Sequence, residues 1–196
     1  NRAIINNGIS LLAEEEQSKK AVINRFDLQN NEKINEYNKL FKLENSKIKS
    51  ISNNGGNYPN SQLNKAIDGN LNTHWETGKP NSNSFTNEVV ITLDEVTELD
   101  RIVYAARRDG ARGKGFAQQV EIYSSLSDNG NDFKLVASGD YSGSVADLVE
   151  IKFEPTQFKR LKFVFKKANQ DWASASEIML YKEDETRDKV NNNFIC

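Results

Sequence analysis

Few residues in this chain could carry bond-making chemistry, and their spacing is informative mainly by exclusion. His74 and Cys196 are the single His and the single Cys. Tetrahedral zinc takes three or four such ligands, so zinc chemistry is excluded, and a lone thiol closes no intrachain disulfide. The 28 acidic residues leave a two-carboxylate hydrolase open by count, but no catalytic spacing stands out among them. Two basic stretches invite a phosphate reading. Arg107-Arg108-Asp109-Gly110-Ala111-Arg112-Gly113-Lys114 lacks the Gly-x-x-x-x-Gly-Lys-Ser/Thr spacing of a phosphate loop, and Lys159 to Lys167 alternates basic with apolar residues as an exposed strand does. The most informative stretch is Lys65-Ala66-Ile67-Asp68-Gly69-Asn70-Leu71-Asn72-Thr73-His74-Trp75. By itself Asp-Gly-Asn is a tight turn, because Gly and Asn tolerate positive φ. On the extended segment that follows, Trp75 is expected in the core, with His74 pointing the opposite way.

The elements that must position these residues belong to a soluble globular chain. It has 196 residues, 37% hydrophobic and 28% charged, with a mean hydropathy of -0.70. That is the size of one domain plus an appendage. The net charge of -2 is far from the basic balance of a nucleic-acid binder, so no nucleic acid is expected as partner. No run of about 18 apolar residues could span a bilayer, and the first residues lack the basic-then-apolar pattern of a signal peptide. The chain starts without Met and is expected to be a fragment of something longer.

Residues 1–45 read as helical. Ile5, Ile9 and Leu12, then Ile23 and Phe26, then Ile34, Tyr37 and Phe41 recur at three- and four-residue steps. A break falls near Asp27 to Asn31, where Asp or Asn can cap a second helix. From Ile48 the period becomes two. Val89, Ile91 and Leu93 alternate with polar residues, as do Val120 with Ile122, Val149 with Ile151 and Phe153, and Leu161 with Phe163 and Phe165. With further strands at Leu99 to Ala105, Phe133 to Ala137 and Ile178 to Tyr181, about eight short strands are predicted. The fold class is mainly β, a two-sheet sandwich or jelly roll preceded by a short helical segment. Residues 183–196 turn polar and read as a linker or the start of a next module.

Four ordered motifs add a resemblance. Asp68-Gly69-Asn70-x-x-Thr73-x-Trp75, Tyr104-Ala-Ala-Arg107-Arg-Asp-Gly110, Val120-Glu-Ile-Tyr-Ser124 and Trp172-Ala-Ser-Ala-Ser-Glu177-Ile-Met-Leu-Tyr181 come in the order of the discoidin, or coagulation-factor C-type, family. The similarity covers about residues 46–182 and looks most like the bacterial branch, the family-32 carbohydrate-binding modules. It implies a discoidin-like jelly roll, in agreement with the alternation. It also implies a structural calcium ion between the first loop and the last strand. Its ligands would be the backbone oxygens of Lys65 and Asn70, the Asp68 carboxylate, Thr73 through backbone and hydroxyl, the Ser176 carbonyl and the Glu177 carboxylate. Six to eight oxygens including two carboxylates suit a hard cation.

The resemblance further implies a sugar site on loops at one end of the sandwich. Its candidates here are Arg107, Arg108, Trp172, Phe116, Asn83 in the Thr77 to Asn87 loop, and Glu76, with Arg112 and Lys114 enriching the same loop as Arg107. Galactose-binding members often carry Trp-His, whereas here Trp75 is followed by Glu76. Glu76 would accept hydrogen bonds from a different sugar, such as an N-acetylhexosamine. The expected function is a non-catalytic module that holds a larger secreted or surface-attached bacterial enzyme against host or mucin-type glycans, with N-acetylhexosamine- or galactose-containing glycans and other modules of the same chain as partners. The other reading is a protein-interaction or spacer module whose working surface is the helical arm.

Overall fold

The structure is a computed structural model and describes residues 19–142 and 145–183. Its framework is a set of antiparallel strands: β1 (Val22–Phe26), β2 (Phe41–Lys42), β3 (Ile48–Asn53), β4 (Trp75–Glu76), β5 (Asn87–Ala105), β6 (Ala117–Ser125), β7 (Lys134–Asp140), β8 (Leu148–Ala168), β9 (Ser174–Ala175) and β10 (Glu177–Lys182). One helix, α1 (Asn31–Tyr37), accompanies them. A jelly-roll sandwich is what the alternation predicts, with one difference. Val89–Leu93 and Leu99–Ala105 fuse into β5, and Val149–Phe153 and Leu161–Phe165 fuse into β8.

β5 and β8 are long because each serves both layers. The first half of β5 pairs with β3 and with the second half of β8, while its second half pairs with β10 and the first half of β8. The β5–β8 register shifts between Thr92 and Thr97 and again between Leu99 and Arg101, which marks the bend. One layer thus runs β3, β5, β8, β6, β7 and the other β2, β10, β5, β8, β1. The layers face each other through aromatic rings: Tyr104 of one packs on Phe163 and Phe165 of the other at 5.8 and 6.2 Å. Phe153 and Phe158 meet at 5.9 Å inside the bend. Both long strands therefore open toward one pole, where the loops before and after each of them gather. At the far pole β10 ends with Lys182 paired to Phe41, Lys182 Nζ at 2.9 Å from Glu98 and Glu183 N–H donating to Asp100.

The second half of β5 is buried on both faces, which replaces alternation by a continuous run from Leu99 to Ala106. Ile102 and Tyr104 face the inter-layer core, while Val103 and Ala105 face outward into a second cluster with Phe26, Tyr37 and Leu148. The N-terminal segment supplies that cover. Asn30 caps α1 by accepting from Lys33 N–H at 3.1 Å, as the Asp27–Asn31 break predicts. Phe26 stacks on Tyr37 at 5.3 Å, and Tyr37 meets Tyr181 edge-on at 5.4 Å.

Ile23 and Phe26 correct the helical expectation. They lie on a strand, β1, paired to β8 from Val22↔Lys152 to Phe26↔Leu148. Their three-residue spacing fits a helix turn, but on a strand it sends them to opposite faces, Ile23 to the inter-layer core and Phe26 to the outer cluster. Phe41 likewise belongs to β2. The segment before residue 46 is thus paired into the sheet through β1 and β2. Just upstream, Ala21 N–H donates to Ser138 and Ser138 N–H to Lys19, so this segment also closes on β7. The helix over Ile5, Ile9 and Leu12, and the linker from residue 184, lie outside the described residues. No helix among the described residues is long and apolar enough to cross a membrane.

A buried polar knot fastens the segment. Glu150 accepts from the Tyr37 hydroxyl and from Asn24 Nδ2 at 2.8 Å, and Arg101 lies 3.5 Å away. Tyr37→Phe is expected to cost about 2 kcal/mol, because it leaves a buried carboxylate short of one charge-assisted hydrogen bond. Tyr37→Ala, which also opens a cavity, should cost about 4 kcal/mol. Urea denaturation of both variants measures this, and a Phe variant as stable as the parent would remove the hydroxyl from the account.

Candidate functional site

The loops at the open pole bring one half-buried Trp beside a group of charges. β4 and β9 form a two-stranded ribbon with Trp75 opposite Ala175 and Glu76 opposite Ser174. Alternation on β4 drives Trp75 into the core against Phe165 at 5.7 Å, and leaves His74 partly exposed on the other side, as expected. Glu76 shares that side with His74 and is only 3% exposed. A carboxylate at that depth needs partners. Arg107 Nη1 donates to Glu76 Oε2 at 2.8 Å, and Lys114 Nζ lies 3.3 Å from Oε1. Arg107 also forks onto Asp109, through Nε at 2.8 Å and Nη2 at 2.6 Å.

These charges tune one another. The hydrogen bonds from Arg107 hold the Asp109 carboxyl below its ordinary value. Burial, and then the positive charge of Arg107, push the His74 imidazole down, outweighing the pull of Asp109 and Glu76. His74 is consequently neutral at pH 7, with one ring nitrogen able to donate and the other to accept.

Trp172 is aimed by strained backbone. Gln170 and Asp171, immediately before it, both hold positive φ, 59° and 66°, at roughly 1–2 kcal/mol each. The loop carrying Arg107 is stitched to the Trp172 segment: Gly115 N–H donates to Asn169, Ser174 N–H to Gly115 and Ser174 Oγ to Lys114. Gly115 is obligatory, because at φ 71° a Cβ there would sit 2.0 Å from the Trp172 carbonyl oxygen. The close approach sets Lys114 Nζ 5.9 Å from the Trp172 ring centroid. Tyr58 stands perpendicular to Trp172, at 88° with centroids 6.0 Å apart.

Of the sugar-site candidates, the structure gathers Glu76, Arg107 and Trp172 at this pole. Arg108 is exposed on the Arg107 loop, and Arg112 pairs with Asp147 at 2.7 Å. Asn83 is exposed in the 77–87 loop, which borders Trp172 through Asn81 N–H donating to Asp171. Phe116 is a correction. It is 1% exposed and packs on Tyr104 and Tyr141 at 5.9 and 5.8 Å, because the Gly115 turn sends the next side chain inward, so it cannot touch a ligand. Tyr58 and Asp109 escape the sequence reading. An aromatic inside the turn-rich Asn-Gly-Gly-Asn-Tyr-Pro stretch was the available signal for Tyr58.

Of the residues expected to hold calcium, Asp68, Asn70, Thr73 and Glu177 lie together. Gly69, at φ 77°, turns the Asp68 loop so that its own N–H donates to Glu177 Oε1 at 2.7 Å. Asp68 accepts from Thr73 Oγ1 at 2.5 Å and from Asn70 N–H at 2.9 Å. Glu177 Oε2 and Ser176 Oγ are buried without hydrogen-bond partners. Burial and the neighbouring Asp68 carboxylate push the Glu177 carboxyl up to about 7. No group of three or more His, Cys, Asp or Glu side chains placed to hold a metal ion occurs among the described residues. A cation here would rest on two carboxylates plus carbonyl and hydroxyl oxygens, a donor set that suits a hard ion. An orphaned buried carboxylate oxygen facing a second carboxylate fits such an ion.

Residues 47–178 match the profile of the F5/8 type C domain. The chain belongs to this family. Among solved structures, the CBM32-1 and CBM32-2 domains of Clostridium perfringens ZmpB in complex with GalNAc are 61% identical with a TM-score of 0.80, covering 91% of this chain and 45% of that one. The structure that adds the M60 catalytic domain of ZmpB matches at the same identity and TM-score, over 91% of this chain and 19% of that one. The family 32 CBM of Clostridium perfringens NanJ in complex with galactose, 23% identical with a TM-score of 0.60 over 73% of this chain and 99% of that one, shares the fold. Among curated proteins, galactose oxidase of Gibberella zeae is 29% identical over 125 residues, 62% of this chain and 18% of the oxidase. The chain thus spans less than half the length of the two-module ZmpB structure and under a fifth of the oxidase.

The F5/8 type C match holds every loop of the pole and leaves out residues 19–46, which cover the outer face of the sheet. Within this domain Arg107 has a structural duty besides any contact with a ligand. Arg107→Ala strands Glu76 with Lys114 alone and is expected to cost about 3 kcal/mol. For a domain of this size that lowers Tm by roughly 6–12 °C. Calorimetry of the variant measures it, and an unchanged Tm would show that the Glu76–Arg107 pair does not hold the loops.

Proposed function

We propose that this chain is a non-catalytic carbohydrate-binding module for glycans that end in GalNAc or galactose, serving to hold a larger secreted or surface-attached bacterial enzyme on its substrate surface. The observation that carries the reading is a Trp face at the open pole beside Lys114, which pairs with Glu76 and through it with Arg107, in a chain 61% identical to a structure described with GalNAc bound. Sugars suit this chemistry. One face of a pyranose is a patch of C–H groups that packs on an indole, while the hydroxyls around its rim need donors and acceptors held in place. Lys114 donates, His74 both donates and accepts, and the Glu76–Arg107–Asp109 group fixes the direction of each.

Trp172 is partly exposed, and one such site is expected to bind weakly, at about 10 µM to 1 mM, or roughly -7 to -4 kcal/mol. Firm attachment comes from several modules or clustered glycans. Turnover has little support, since Glu76 and Asp109, the acids beside Arg107, are both bound to it rather than set as acid and base. The helical arm as working surface also has little support, because its Tyr37 and Phe26 are spent on the sheet. The ZmpB structure with an M60 catalytic domain supports a place beside an enzyme on the same chain.

The Asp68–Thr73 loop and Glu177 are proposed to hold one calcium ion, through the Asp68 and Glu177 carboxylates, Thr73 and the carbonyls of Lys65, Asn70 and Ser176. The ion would neutralise two facing carboxylates and fix the loop that leads into His74 and Glu76. It takes no part in bond making.

Titration calorimetry with GalNAc and galactose tests the sugar reading: Trp172→Ala should lower affinity at least tenfold with Tm within a few degrees of the parent. Full binding by that variant would move the site elsewhere, and no binding by the parent would end the reading. Calcium should raise Tm, and the gain should grow between pH 5 and pH 8. The sign follows from Glu177: without metal its folded value of about 7 exceeds the ordinary carboxylate value, so its contribution is present below pH 4.5 and lost as pH rises through 7. Calcium, which binds the deprotonated form, restores it. A Tm indifferent to calcium at pH 8 would count against the ion.

A further inference from the structure

Tyr58 and Trp172 meet at a right angle, and that shape selects more than a flat platform does. Tyr58 is 47% exposed, one of five large apolar side chains so exposed among the described residues. Of these, Tyr58 is the one in contact with Trp172. It is held there by its backbone. Tyr58 N–H donates to Glu76 at 2.8 Å, Ser61 N–H donates to Tyr58 at 3.0 Å, and Pro59 stiffens the turn between them. An exposed ring kept upright in a rigid loop loses hydration on its apolar face with little return unless something covers it.

A flat ring takes the C–H face of a sugar. Two rings at 88° form a corner, and a corner encloses a short apolar group that projects from the sugar ring. On common hexoses the projecting apolar group is the methyl of an acetamido substituent. The amide that carries such a methyl needs a donor for its carbonyl. Lys114 Nζ lies beside the corner, 5.9 Å from the Trp172 centroid, with its side chain 36% exposed.

We propose that Tyr58 and Trp172 enclose the acetamido methyl of an N-acetylhexosamine, with Lys114 donating to the acetamido carbonyl, so that this site prefers the N-acetylated sugar to the unsubstituted hexose of the same configuration. The proposal rests on the carbohydrate-binding reading above. One methyl enclosed by two aromatic walls is worth about tenfold in affinity.

The test is titration calorimetry of the whole chain with GalNAc and with galactose, for the parent, Tyr58→Phe and Tyr58→Ala, each with its Tm recorded. The parent should bind GalNAc about tenfold more tightly. Tyr58→Phe, which keeps the wall, should keep that ratio. Tyr58→Ala should bring the ratio near one by weakening GalNAc while galactose is unchanged. Equal affinities in the parent, or an undiminished ratio in a folded Tyr58→Ala, would overturn the role of the corner and leave sugar binding standing. A parent that binds neither sugar overturns both.

Discussion

Everything at the open pole depends on β5 and β8 each running through both layers of the sandwich. A strand that crosses from one layer to the other must bend, and here both bend at the same end, where the β5 register shifts and Phe153 packs on Phe158. Lys159 Nζ, donating to the Asp94 carbonyl at 2.6 Å, ties the two bends together. Because the strands are paired over most of their length, their four ends are brought to the opposite pole. The Thr77–Asn87, Arg107–Phe116 and Asn169–Trp172 segments are therefore neighbours in space although far apart in sequence. Tyr104 reinforces the convergence from below: its hydroxyl donates to the Ser174 carbonyl at 2.7 Å and accepts from Ala117 N–H at 3.2 Å.

On that frame the charges do two jobs. Glu76 and Arg107 lie buried at the base of the loops, where desolvation makes either one costly if unpaired, so their pair fixes loop geometry as packing does. Glu76 also holds Lys114 in place, while burial and the Arg107 charge push the His74 imidazole down. Weak binding of a small sugar gains most from such preorganisation, because little is left to order when the ligand arrives. The positive φ of Gln170 and Asp171 is the local expense of that arrangement, carried by the hydrogen bonds around Gly115.

Much of this was legible in the sequence, for reasons that differ by residue. Val89, Ile91 and Leu93 signalled a strand with one buried face because alternation is a direct imprint of a half-buried sheet. Trp75 and His74 separated correctly by the same rule. Ile23 and Phe26 misled, since a spacing of three serves one helix face or two opposite strand faces, and only the long-range pairing with β8 decides between them. Phe116 misled because nothing local reveals that Gly115 turns the chain inward; the constraint is the Trp172 carbonyl, more than fifty residues away. Tyr58 and Asp109 went unseen because their importance arises from contacts with Trp172 and Arg107 rather than from any spacing of their own.

β10 ends beside Phe41, at the pole where β5 and β8 bend, and β1 runs from the side of Lys152 toward the loops. That pairing has a mechanical consequence. Force applied along β1 or β10 is carried by paired strands of the sheet rather than by the loops that hold Trp172.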